Sequence, residues 1–185
     1  VPRANLSPDA LTRAALDLID AGGPGALSMS ALARRVGVQT ASLYAHVRDL
    51  AALRSAVQAA VFTELADTIG ESPTLRDLAN TQRAYAFAHP ARWAMISRPV
   101  EHNEITGPAA SRISALVVGS LGDYALPASE TVHAVRFASA TIAGYLALEA
   151  ADSFAHRDET TDASWNRALD ALDRALRTWT PKDPA

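Results

Sequence analysis

The sequence has no cysteine, which excludes a disulfide framework, a thiolate-bound zinc and a thiol nucleophile. Aromatic residues make up only 6% of a chain that is 49% hydrophobic and 20% charged, so its apolar content rests on alanine and aliphatic side chains. That balance belongs to a folded helical chain rather than a disordered one. No stretch approaches the roughly 18 apolar residues of a membrane span, and Val1 to Ser7 lacks the apolar run of a secretory signal. The expectation is a soluble, unexported, cytoplasmic protein with no membrane partner, whose start at Val1 points to a trimmed N-terminus. Missing too are strand-like alternation, an internal repeat, a His-Glu-x-x-His pair, a phosphate-binding glycine loop and a serine elbow. No catalytic residue and no cofactor is assigned, and the chain is not read as an enzyme. With 185 residues it can build a sizeable core, and the expected fold class is all-α.

What is present is organised by charge and by helix punctuation. The net charge is −3. Residues 1–57 nevertheless hold six arginines against four aspartates, while the remainder holds eleven basic against sixteen acidic residues. Any polyanion site is therefore placed at the N-terminal end. Ser7-Pro8-Asp9 opens a first helix with a capping hydroxyl, a proline at the first helical position and an acid at the positive end of the dipole. Leu11, Ala15 and Leu18 share a face, and Gly22 to Gly25 end the helix. Ser28 caps a short helix over 29–36, and Gly37 ends it because a residue just past a helix needs a left-handed backbone. The spacing then predicts a second short helix from Gln39 to Val47, burying Leu43 and Val47. Two short helices joined by a glycine turn form a helix-turn-helix, whose second helix enters the DNA major groove.

Asp49 caps a long fourth helix, with Leu50, Leu53, Val57, Val61, Leu65 and Ile69 recurring at helical spacing. Beyond Gly70 to Pro73, helices are expected from Thr74 to His89, over 91–97, over 109–121 and over 129–154, with a polar loop at 100–108. The helix over 129–154 is rich in alanine, with Gly144 among them. A last helix over 162–180 sets Trp165, Leu169, Leu172, Leu176 and Trp179 in a heptad-like seam.

Residues 27–53, LSMSALARRVGVQTASLYAHVRDLAAL, resemble the DNA-binding core of the TetR-type transcriptional regulators, the ligand-responsive dimeric repressors of bacteria. Ser28, Leu32-Ala33, Gly37-Val38, Leu43-Tyr44, His46-Val47 and Leu53 stand in the matching places. The resemblance implies a DNA-binding domain over 1–48, a connecting helix over 49–70 and an effector-binding and dimerisation domain over 71–185. It places Ser30, Gln39, Thr40, Ala41 and Ala45 against base edges, where amide and hydroxyl groups pair and alanine allows close approach. Ser28, Ser42, Tyr44, His46 and Arg48 would face phosphates. Leu50 stands where the family commonly carries lysine, which leaves that phosphate charge to Arg48.

The same resemblance implies a small-molecule effector, with Tyr85, Phe87, Trp93, Met95, Phe137 and Tyr145 around it and Arg98, His102 or His133 fixing its polar group. The bland alternative for each is ordinary core packing. Glu101-His102-Asn103-Glu104 is a metal candidate on composition alone, but neighbouring loop residues rarely converge on one ion, and no metal is assigned. A homodimer is expected through the last two helices, with Gly144, Ala147, Trp165, Leu169, Leu172 and Leu176 at the interface. Together these readings describe a sequence-specific repressor released from double-stranded, palindromic operator DNA by a small molecule. The competing reading is a helical binding or catalytic protein whose helix-turn-helix no longer meets DNA.

Overall fold

Ser7 does what its place in the sequence suggests: its hydroxyl accepts from the Ala10 N–H at 3.2 Å and starts α1, Pro8–Gly22. A computed structural model describes residues 6–97, 103–155 and 159–180. Among them are nine α-helices, two single 3-10 turns and no strand, so the fold is all-α. After α1 come α2 (Met29–Val36), α3 (Thr40–Leu43), α4 (Leu50–Ile69), α5 (Leu75–Ala88) and α6 (Pro90–Ile96). Then follow α7 (Gly107–Gly119), α8 (Thr131–Ala150) and α9 (Thr161–Arg177). The 3-10 turns, Pro24–Ala26 and Gly122–Tyr124, carry no periodicity of their own to announce them.

The chain divides into two compact units, one of Val1–Thr68 with Ala84–Ile113 and the other of Ile69–Arg83 with Ser114–Ala185. The described residues among 84–113 fall in the unit of the helix-turn-helix, within the segment 71–185 that the sequence reading sets apart. The reason is α6, which docks on α1 and on the turn Pro24–Ala26. In this first unit Leu11, Ile19, Leu32, Leu43, Leu53, Val57 and Val61 are wholly buried. Each such side chain withdrawn from water contributes roughly 1.5–3 kcal/mol. Polar ties add direction. Gln58 donates to the Met95 carbonyl at 2.9 Å, and Asn103 Nδ2 donates to Ser55 Oγ at 3.0 Å.

The second unit is organised by α8 against α9. Ala134, Ala138, Ile142 and Leu146 meet an interior that also takes Trp165, Leu169, Leu172 and Leu176. Arg83 bridges Glu149 of α8 and Asp162 of α9, with two bonds to Glu149 at 2.9 and 2.5 Å. Trp165 completes the network by donating its indole N–H to Asn80 at 2.8 Å. Such a half-buried ion pair is held in place by its full set of hydrogen bonds.

Candidate nucleic-acid interface

The turn between α2 and α3 follows from hydrogen-bond closure. Ser28 is extended and its Oγ accepts from the Ala31 N–H at 3.1 Å. At the other end of α2, Gly37 is left-handed with φ 73 and ψ 34. The Val38 N–H returns to the Ala33 carbonyl at 3.0 Å and the Gly37 N–H to Arg34 at 3.3 Å. These two bonds close the helix and turn the chain, the geometry that glycine adopts without steric cost. Gln39 is then extended and exposed, and α3 packs on α2.

The candidate recognition element is shorter than the sequence predicts. The α-helix ends at Leu43 instead of running to Val47. Past it, the Leu43 carbonyl takes both the His46 and Val47 N–H groups at 2.9 Å, so Tyr44, Ala45 and His46 continue as a tight turn. Leu43 is wholly buried and Val47 half-buried, so the anchoring side chains remain as expected.

Around those anchors the candidate DNA-facing residues are open to solvent. Ser30, Gln39, Ala41, Ser42, Ala45 and His46 are exposed, Thr40 and Ser28 are half-buried, and Tyr44 is 54% exposed. The Ser28 and Ser30 hydroxyls lie 3.3 Å apart. The Arg48 side chain is 83% exposed and donates to Asp49 at 2.9 Å. Asp49 in turn caps α4 by accepting from the Ala52 N–H at 2.7 Å. That backbone donor first, and Arg48 second, hold the Asp49 carboxyl below the usual carboxylate range. The result is a surface of amide, hydroxyl, imidazole and guanidinium groups, able to pair with base edges and phosphates.

The residues assigned to an effector fall in both units. In the first, Tyr85 and Met95 are buried, Trp93 is half-buried and Phe87 is 57% exposed. In the second, His133 and Phe137 are exposed, and Phe137 lies 5.7 Å from the Trp179 ring. Tyr145 is an internal staple: its hydroxyl donates to the Thr161 carbonyl at 3.0 Å and its ring meets Phe154 and Trp165 at 4.9 and 5.0 Å. Arg98 and His102, with the Glu101 of the metal candidate, lie outside the described residues.

Of the residues assigned to a dimer, Trp165, Leu169, Leu172 and Leu176 are at most 4% exposed in the single chain. Their heptad spacing is met by packing inside their own unit in the single chain. Gly144 and Ala147 remain on an exposed face of α8. Sequence reasoning passed over Arg92, which ties three helices together through Asp20 and Glu64. Those partners stand 72 and 28 residues away in the chain, where no spacing rule reaches.

Comparison with known proteins extends over most of the chain. The family profile described as "Bacterial regulatory proteins, tetR family" matches residues 11–57, and "Tetracyclin repressor-like, C-terminal domain" matches residues 75–172. The sequence is 30% identical over 155 residues to the HTH-type transcriptional regulator Rv0681 of Mycobacterium tuberculosis, covering 79% of this chain and 71% of that one. It is 25% identical over 186 residues to the HTH-type transcriptional regulator YobS of Bacillus subtilis, covering 96% and 93%. Among solved structures, a TetR variant from Acinetobacter baumannii in complex with minocycline superposes with a TM-score of 0.71 at 22% identity, covering 97% of this chain and 100% of that one. ActR of Streptomyces coelicolor in complex with (S)-DNPA gives 0.72 at 21% identity, covering 94% and 98%. These two structural likenesses speak for the fold.

Proposed function

Since the chain belongs to the tetR family of bacterial regulatory proteins, we propose that this DNA-binding transcriptional regulator is a homodimeric repressor, released from a palindromic operator by a small molecule. The observation that carries the reading is the left-handed Gly37 turn, which presents the polar run Gln39 to Arg48 to solvent on a buried Leu43 anchor. Two copies related by a two-fold axis would set their recognition elements on half-sites about 34 to 36 Å apart.

Release then follows from population shift. An effector that binds better to the DNA-incompetent arrangement draws the protein away from the operator. The lever is α4, whose first turn is capped by Asp49 next to the recognition element and whose 20 residues run on from there. The C-terminal family match over residues 75–172, from α5 into α9, supports an effector site in that region. No helix among the described residues is long and apolar enough to cross a membrane, and a regulator of this kind works in the cytoplasm, where its DNA is, with no catalytic step of its own.

The experiment is selection of duplexes from a random-sequence pool by the purified protein, followed by gel shift. A two-fold symmetric consensus is expected. Gln39→Ala and Thr40→Ala should each relax preference at particular positions, costing about 1–3 kcal/mol where a paired base contact is lost. A consensus unchanged in both variants removes them from base readout, and the absence of any enriched duplex overturns the reading.

A further inference from the structure

Within the first unit, α6 lies on α1 and on the turn Pro24–Ala26. Long polar side chains tie it to α4 at two places. Arg92, on α6, gives Nη1 to both Glu64 oxygens of α4 at 2.9 and 2.8 Å. In the last turn of α6, where carbonyls lack a helical partner, the Met95 oxygen accepts from Gln58 Nε2 of α4 at 2.9 Å. Glu64 and Gln58 stand about 9 Å apart along α4, at a rise of about 1.5 Å per residue. One tie between two helices leaves a pivot, whereas two ties so separated fix a direction.

The rest of the Arg92 guanidinium goes to α1. Nε donates to both Asp20 oxygens at 3.0 and 3.2 Å, and Nη2 donates to Asp20 at 2.6 Å. One planar fork thus serves carboxylates on two helices at once, a geometry that an ammonium lacks. The Arg92 side chain is 19% exposed, and those of Asp20 and Glu64 are 38% and 36% exposed. Ion pairs open to water to that degree add modestly to stability, so the clamp counts for direction more than for energy.

The candidate recognition element stands where these routes meet. It packs through α3 on α2, and α2 packs on α1. The chain leaving α3 runs through Tyr44 to Asp49 directly into α4. The direction of α4 against α1 therefore bears on the path of that segment. We propose that Arg92 and Gln58 are positioning residues for operator binding: without touching DNA, they hold α4 on α1 through α6 at the angle at which Gln39 to Arg48 meet the duplex. The proposal deepens the regulator reading and rests on it.

The test uses a duplex that the full chain selects from a random pool, at a temperature where circular dichroism shows every variant fully folded. A residue that only adds stability leaves the affinity of the folded protein at the parent's value. Arg92→Met should weaken binding about tenfold, the scale of a charged hydrogen bond, and Gln58→Ala about threefold, the scale of a neutral one. The slope of log affinity against log salt should equal the parent's in both, because neither side chain neutralises a phosphate. Glu64→Ala should match Arg92→Met, and combining the two should weaken binding no further, since they break one route. Arg92→Lys, which cannot fork, gives a loss of the same sign if the methionine variant does not fold. Parent-like affinity in folded Gln58→Ala or in the folded Arg92 variant overturns the proposal, as do losses at Arg92 and Glu64 that add. A salt slope reduced by about one in Arg92→Met makes that residue a phosphate contact and overturns the proposal as well. Failure of the unmodified chain to select any duplex sinks the regulator reading itself, whereas a selected duplex bound equally by parent and variants sinks the positioning role alone.

Discussion

Arg48 is an exposed guanidinium beside the candidate recognition element, and Asp49, its partner among the described residues, is itself 46% exposed. An ion pair in water is weak, so Arg48 can leave Asp49 for a phosphate without loss of structure. Asp49 would still hold the Ala52 N–H, which is the first cause of its lowered pKa. The α4 cap and the proposed phosphate anchor are thus separable although they adjoin in sequence. Leu50, the following residue, is half-buried and brings no charge. We expect Arg48→Ala to weaken binding to specific and non-specific duplexes alike and to reduce the slope of log affinity against log salt by about one. Affinities measured at several salt concentrations decide it, and a slope equal to the parent's removes Arg48 from the phosphate contacts. The circular dichroism of α4 should not change. What the sequence made legible at this scale was local: which residues are polar, charged and next to a helix end. The Arg92 clamp was not legible, because its three residues sit on α1, α4 and α6 and only the folded chain brings them together.

Helix boundaries were the most readable feature, since caps are written in single residues. Ser7, Ser28 and Asp49 each accept from a backbone N–H of the helix they precede. Gly37 ends α2 with a positive φ of 73. The length of α3 was less readable. Apolar spacing at Leu43 and Val47 is shared by an α-helix and by a helical turn that tightens, and the bonds to the Leu43 carbonyl select the tighter form. Periodicity likewise marked the apolar face of α9 without saying what would cover it. The glycine turn gives a test at this scale. A Cβ added at Gly37 would meet nothing within 4 Å, so Gly37→Ala carries backbone strain alone. We expect a loss of about 1–2 kcal/mol in unfolding free energy, the cost of holding an L-residue in the left-handed region. Urea unfolding with an unchanged m-value measures it. Equal stability of the alanine variant would mean that the turn does not hold its left-handed form in solution.

For the homodimer proposed above, the question at the scale of the whole molecule is which surface meets a second copy. The four α9 side chains of the heptad-like seam are interior, so an isologous contact has to be built from what the single chain leaves open. The exposed face of α8 includes Ser139, Ala140, Ala143, Gly144 and Ala147, with Val132, Phe137 and Leu148 exposed by 55%, 40% and 49%. Small residues let two helix axes approach closely, and the large apolar ones beside them gain by leaving water. The proposed palindromic operator calls for a two-fold protein, and a self-complementary face is the simplest way to make one. Two substitutions separate this interface from the interior behind it. At Gly144 an added Cβ meets nothing within 4 Å in the single chain. Gly144→Glu should therefore leave each protomer folded, with an unchanged helical spectrum, while placing two like charges in the contact. Leu172 is 2% exposed, and Leu172→Glu buries an unpaired carboxylate, so it should unfold the second unit rather than merely separate copies. We expect light scattering at micromolar concentration to show a dimer for the parent and a folded monomer for Gly144→Glu, whose operator affinity falls steeply because a single half-site holds it. A Gly144→Glu protein that remains dimeric moves the interface away from this face of α8, and a parent that is itself monomeric removes the two-fold repressor altogether.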